Sequence, residues 1–272
     1  MLSAMYEGTP MRSRGLSLSF QVEALTILLA SHAFAAPPTA AEIVAEVDKV
    51  RNPQQAFRVS LTLVEYVNGK ARDKVELAVH SKFYPDARRF KNLVRYVAPP
   101  RDAGKLVLLN ESNMWFYDPA SKASLRISPQ QRLTGQASDG DVVTVNLALD
   151  YTPKLVGEET IQDADHKDRN VWHLDLAAAT GEAMYSRLEY WIEKETHRPI
   201  KAKFYSDSGR LLKIAYFRKY QQQMGAIRST ETIIIDAVDS HLVTSMSYSG
   251  FRVEQVQDTW FQRDYLPRFK EE

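Results

Sequence analysis

Residues 55–70 read QAFRVSLTLVEYVNGK. Phe57, Val59, Leu61 and Leu63 alternate with Arg58, Ser60 and Thr62, a period of two that puts one apolar row on one face of a strand. Asn68-Gly69 follows, the dipeptide best suited to a two-residue hairpin because both positions need positive φ. The return segment alternates in the same way, with Val75, Leu77 and Val79 against Lys74, Glu76 and His80. Strand, tight turn and matching return strand predict an antiparallel sheet with one apolar face and one polar face.

This grammar extends over most of the chain. Pro85-Asp86 makes a turn, and 88–97 and 104–112 read as further strands. Residues 114–127 (MWFYDPASKASLRI) form a hairpin around Asp118-Pro119, with Trp115 and Tyr117 on one face. Residues 128–150 break the pattern and predict a loop plus a short helix lying across the sheet. Alternation resumes at 154–162, at 171–179 with Trp172, Leu174 and Leu176 on one face, and at 186–195, where Leu188, Tyr190 and Ile192 oppose Glu189, Trp191 and Glu193. Strands follow at 199–206, 210–220, 229–238 and 242–253, and 257–269 closes as a short helix or tail. Upstream, 37–53 predicts a helix: Thr39 caps it, Glu42 completes a capping box, and Ile43, Val47 and Val50 share a face before Asn52-Pro53 ends it.

The fold class is therefore mainly β: roughly ten or eleven strands in a single large curved antiparallel sheet, with a few short α-helices, in one domain over 36–272. So many strands present more apolar surface than two or three short helices hide. Either the sheet closes on itself or its concavity stays partly open and holds something apolar.

Composition narrows the function. The 272 residues carry a formal charge of +1 and no basic block, which argues against nucleic acid as a partner. Cysteine is absent, excluding disulfides, thiolate catalysis, Cys-ligated zinc and a lipid-modified cysteine. Arg12 and Arg14 precede the apolar run ALTILLASHAFA (24–35), which ends in Ala33-Phe34-Ala35. That layout predicts a signal peptide over 1–35, cut after Ala35, with Met1 or Met11 as the start. No later stretch approaches spanning length, so an exported chain without a stable membrane anchor is expected.

Chemistry is hard to find. Nucleophile elbow, P-loop, GxGxxG and HExxH patterns are missing. The acidic loop ASDGDVV (137–143) lacks the alternating ligands and closing Glu of a calcium loop. In WIEKETHRPIKAKFYSDSGRLLK (191–213), Glu193, Glu195 and His197 stand two apart, as in a metal site or an acid/base set. Because Leu188, Tyr190 and Ile192 form the apolar row, that trio falls on the opposite, solvated face of a strand ending at Arg198-Pro199. His173 likewise opposes Trp172 and Leu174. Neither a cofactor nor a metal is expected. The paired aromatics on the strands serve either ordinary cross-strand packing or an apolar ligand groove.

The run MWFYDPASKASLRIS, then LVGEETI, then LEYWIEKETHRPIKAKFYSDSGRLLK, resembles the LolA/LolB-like periplasmic outer-membrane lipoprotein-sorting proteins, in particular a LolA-like branch of largely uncharacterised members. The resemblance runs from about 40 to 250, and the charged segment 163–171 departs from it. It implies an open half-barrel with a helical lid over an apolar concavity. It also implies a non-enzymatic carrier of lipoprotein acyl chains or a related lipid, working between an inner-membrane transporter and an outer-membrane acceptor. By strand alternation the groove residues are Phe57, Val59, Leu61 and Leu63, then Leu77 and Val79, then Leu174, Leu188, Tyr190 and Ile192, and finally Phe204, Ile214 and Tyr216. The alternatives are an accessory subunit of an envelope machine with a packed barrel, or an envelope lipid hydrolase.

Overall fold

Thr39 starts the first helix, α1 (Ala40–Arg51), through a complete capping box: its Oγ1 accepts from the Glu42 N–H at 3.2 Å, and Glu42 Oε2 accepts from the Thr39 N–H at 2.8 Å. Asn52 ends it in an extended conformation. The computed structural model describes residue 8 and residues 37–111, 113–128, 141–179 and 183–270. Residues 38–272 form one compact unit. The expected signal peptide lies, Gly8 apart, outside the described residues.

Among the described residues, thirteen strands build one antiparallel sheet. They are β1 (Phe57–Val67), β2 (Lys70–Tyr84), β3 (Arg89–Ala98), β4 (Leu106–Asn110), β5 (Asn113–Asp118), β6 (Ala123–Ile127), β7 (Tyr151–Gln162), β8 (Asp168–Ala178), β9 (Arg187–Glu193), β10 (Pro199–Tyr205), β11 (Leu211–Gln223), β12 (Ala226–Asp236) and β13 (Leu242–Val253). The count exceeds the expected ten or eleven, although the stretches read as strands from the sequence, with the 114–127 hairpin counted as two, already number thirteen. Asn68 and Gly69 take φ of 52° and 73°, as the I′ hairpin between β1 and β2 requires.

Strand order is β6-β5-β4-β3-β2-β1-β13-β12-β11-β10-β9-β8-β7. The sheet is open and curved, and its two edges, β6 and β7, are consecutive along the chain. Ahead of β7, residues 141–146 and the short helix α2 (Leu147–Asp150) form a strap across the concave face. Of the loop and short helix expected over 128–150, the helix falls at Leu147–Asp150 and 141–146 cross the sheet, while 129–140 lie outside the described residues.

Two apolar clusters share the concave face. One gathers Phe57, Val59, Leu61, Leu77 and Val79 with Val94, Val107 and Met114 from β3–β5. The other packs Ile43, Val44 and Val47 of α1 onto Trp172, Leu174, Leu188, Tyr190 and Ile192.

The other face is not uniformly polar, contrary to expectation. Two 3₁₀ turns, Asp258–Phe261 and Arg263–Arg268, lay Val256, Trp260, Phe261 and Leu266 over Leu93, Leu106, Leu108 and Tyr117. His80 lies on this face as its alternation requires, yet it is fully buried, bonded to Glu254 at 2.5 Å and edge-on to Trp260. Both faces of β4 are covered, so this strand reads as the continuous apolar run LVLL.

Candidate functional site

The concave face holds the candidate site. Directly paired residues of neighbouring antiparallel strands share a face, so the register decides which side chains reach it. Leu61 pairs with Leu77, Val59 with Val79 and Leu63 with Val75, placing the first six expected residues there. Leu174, Leu188, Tyr190 and Ile192 join the cluster under α1, and Phe204 borders both clusters.

Ile214 and Tyr216 do not belong to this face. Ala202 pairs with Ala215 and Phe204 with Lys213, so β11 turns Lys213, Ala215 and Phe217 inward. Tyr216 instead stands beside Lys201 on the opposite face, 5.3 Å from its ammonium group. Alternation misassigned the strand because its inward row begins with a lysine, which hydropathy reads as solvent-facing.

That lysine anchors the strap. Lys213 is 4% exposed and donates to Asp141 Oδ2 at 2.6 Å, while the Tyr185 hydroxyl donates to Asp141 Oδ1 at 2.5 Å. Further along, Asn92 brackets Thr144: its Nδ2 donates to the Thr144 carbonyl at 3.0 Å, and its Oδ1 accepts from the Thr144 N–H at 3.0 Å. Arg89 holds Asp150 at 2.6 Å. Helix α1 is tied to the strap as well, through Asn52 Nδ2 to the Val145 carbonyl at 2.9 Å and Asp48 Oδ2 accepting from the Ala148 N–H at 2.8 Å. The cover is therefore fastened at its ends by polar bonds and seated on an apolar floor.

Beneath it lie two cavities of about 120 and 100 Å³. Phe57, Val59 and Val79 line the first; Leu188, Tyr190 and Phe204 line the second. Arg51, Asp141, Val143, Phe217, Thr232 and Tyr248 border both. Leu61, Leu63, Leu77, Leu174 and Ile192 line neither. Burial pushes the Tyr190 phenol up to about 12, so its hydroxyl stays neutral and polar without charge. An apolar cavity of roughly 150 Å³ takes one benzene-sized molecule, so each of these has room for a small group and not for an acyl chain.

The trio Glu193, Glu195 and His197 separates. Glu193 lies opposite Ile192 as expected, but it is buried rather than solvated. Arg198 Nη2 donates to it at 2.7 Å, Arg169 Nη1 at 3.0 Å, and the Thr196 hydroxyl also donates. Burial works against its ionised form, yet the bonds from Thr196 and Arg198 and the charges of Arg198 and Arg169 outweigh it and hold its pKa below the usual range. Glu195 is exposed, and His197 occupies a left-handed turn (φ 54°) against the Trp172 ring. Among the described residues no group of three His, Asp or Glu side chains could hold a metal ion. His173 does sit on the face opposite Trp172, stacked on Trp191 at 4.4 Å.

The Glu193 network carries a pH prediction. A carboxylate with a depressed folded pKa contributes stability above its unfolded pKa and loses it as pH falls through the folded value. Glu193→Gln is expected to lower stability by about 1–3 kcal/mol at pH 7. Urea titrations at pH 7 and pH 3 check it: the gap to the parent chain should shrink at pH 3, and a constant gap would refute the assignment.

Sequence reasoning missed Lys213, Arg51, Phe217, Asp141 as a strap anchor, and Thr232 and Tyr248 from the two central strands. The signal for Phe217 was present, since the Asp207-Gly209 turn sets which β11 residues face Ala202 and Phe204.

A protein-family model described as an uncharacterized-protein family matches residues 89–268, more than half of the chain. Among curated proteins no sequence matches. Three solved structures are similar. A LolA superfamily protein from Nitrosomonas europaea is 30% identical, with a TM-score of 0.74 over 84% of this chain and 100% of its own. A domain from Vibrio parahaemolyticus, named as a candidate outer membrane lipoprotein-sorting protein, is 18% identical, with a TM-score of 0.71 over 84% of this chain and 98% of its own. A DUF1329 family protein from Desulfovibrio piger is 22% identical, with a TM-score of 0.70 over 84% and 97%. The last two share the fold. Identity and coverage with the Nitrosomonas protein establish the family as well: the chain belongs to the LolA superfamily.

Proposed function

We propose that this chain is a non-enzymatic carrier that takes up an acyl chain, from a lipoprotein or another amphiphile, on its concave face. In this reading it is exported by the 1–35 signal peptide and shuttles cargo through the periplasm, from an inner-membrane transporter toward an outer-membrane acceptor. One observation carries the reading: an apolar, aromatic-lined concavity is closed by a strap and helix whose fastenings are polar and few.

The physics is one of exchange. Burying alkyl chain is worth about 0.8 kcal/mol per CH₂, or roughly 13 kcal/mol for sixteen carbons. Cargo of that length exceeds the volume of the two cavities, so Val143, Leu147 and the apolar face of α1 must first lift from the floor. Apolar cover is then replaced by apolar cargo, and the net affinity is a difference between two similar burials. Such a balance keeps loading reversible, which a carrier that must surrender its cargo needs.

The test is native mass spectrometry of the purified chain, with displacement of a fluorescent acyl probe. The expected result is co-purified lipid, or a saturable probe site in the delipidated protein. Neither lipid nor probe binding would sink the proposal. That outcome supports a second reading, which the small cavity volumes favour: a packed interaction subunit of an envelope assembly that carries nothing.

A further inference from the structure

The larger cavity contains a cation that the acyl-carrier reading does not use. Arg228 on β12 is 5% exposed and lines the wall. Its Nε donates to the Arg51 carbonyl at 3.3 Å, and its Nη1 donates to the carbonyls of Met224, at 3.2 Å, and Gln223. Among the described residues no carboxylate pairs with it, and Nη2 has no hydrogen-bond partner. Burial lowers its pKa, with no neighbouring negative charge to offset that.

The other charges at this cavity are already matched. Asp141 is held by Lys213 at 2.6 Å, and Arg51 pairs with Asp48 at 3.4 Å. Arg228 is thus a buried positive charge satisfied by carbonyl dipoles alone. Guanidinium stays ionised in proteins, and a buried ion without a counter-ion carries a desolvation penalty that an anion relieves. The lining around it combines apolar side chains, from Phe57, Val59 and Phe251, with the hydroxyl-bearing Ser229 and Thr232. The space suits a small charged group with an alkyl tail leading toward the floor.

We infer that the cavity beside Arg228 is a headgroup site, and that the cargo is an anionic amphiphile whose carboxylate or phosphate pairs with this guanidinium. The inference rests on the carrier reading and narrows its cargo class. Nη2, the guanidinium nitrogen left without a protein partner, donates to a carboxylate or phosphate oxygen, and the chain follows the face lined by Phe57, Val59 and Phe217.

Delipidated full-length protein would be titrated with dodecanoate, dodecyl phosphate and dodecanol, each displacing a neutral fluorescent acyl probe. A charge-assisted bond predicts that at least one anion binds about 10-fold or more tighter than the alcohol. The anion that binds tighter identifies the headgroup source. Arg228→Met should abolish that preference while dodecanol binding is retained, and Arg228→Lys should keep part of it. If Arg228→Met does not fold by circular dichroism, the ratio in the parent chain decides, together with its partial reduction in Arg228→Lys. Equal binding of both anions and the alcohol to the parent chain overturns the headgroup site and leaves the carrier reading standing. No binding of any of the three overturns both.

Discussion

Asp141→Asn is expected to destabilise the chain by about 3–5 kcal/mol, because it breaks a buried ion pair by removing one of its two charges. Lys213 is 4% exposed and its Nζ lies 2.6 Å from Asp141 Oδ2, so the pair is shielded from bulk water. Removing both charges behaves differently: Asp141→Asn combined with Lys213→Met should recover much of the loss, since the two charges of the pair then leave the interior together. Urea denaturation with unchanged m-values checks the stability arm. The same single substitution should speed uptake of an acyl probe in stopped-flow mixing, because it releases the strap over the groove. A single-variant loss below about 0.5 kcal/mol, ordinary for an exposed site, would show that the pair does not fasten the strap.

Phe261→Ala is expected to cost about 3–5 kcal/mol for a different reason, a cavity in the second core. Phe261 is 1% exposed, meets the Tyr84 ring edge-on at 6.1 Å, and its carbonyl accepts from Asn110 Nδ2 at 2.9 Å. The 3₁₀ turns it belongs to cover Leu93, Leu106 and Leu108 on the face away from the groove. Thermal unfolding should move strongly, while the affinity of the folded protein for an acyl probe stays within about 2-fold of the parent, a difference near 0.4 kcal/mol. Loss of probe binding in a variant that remains folded would mean that the two faces are coupled through the sheet.

Much of the fold was legible because its elements announce themselves locally. The capping box at Thr39 and Glu42, the turns at Asn68-Gly69 and Asp207-Gly209, and the period-two rows of β1, β8 and β9 follow from backbone chemistry within a few residues. What stayed hidden depends on distant partners. His80 alternates as a polar residue should, but Trp260, far along the chain, covers it. Lys213 reads as a surface lysine until Asp141 is brought over it, and that mistake moved Ile214 and Tyr216 to the wrong face. Glu193 was placed on the correct face and given the wrong environment, because Arg169 and Arg198 reach it from a neighbouring strand and the following turn. Arg228 had no sequence signal, since a buried guanidinium held by carbonyl oxygens looks like any other charge on a strand.

The strand order also bears on how the chain assembles. Every neighbouring pair in the sheet joins consecutive strands except one, β1 with β13, where Phe57 meets Val253. Two meanders, β1–β6 and β7–β13, can each zip up hairpin by hairpin with low contact order, while the seam between them must close a loop spanning almost the whole unit. That closure comes last on entropic grounds. Because it lies at the centre of the sheet, the concave floor on which any cargo rests is complete only once the first and final strands have met.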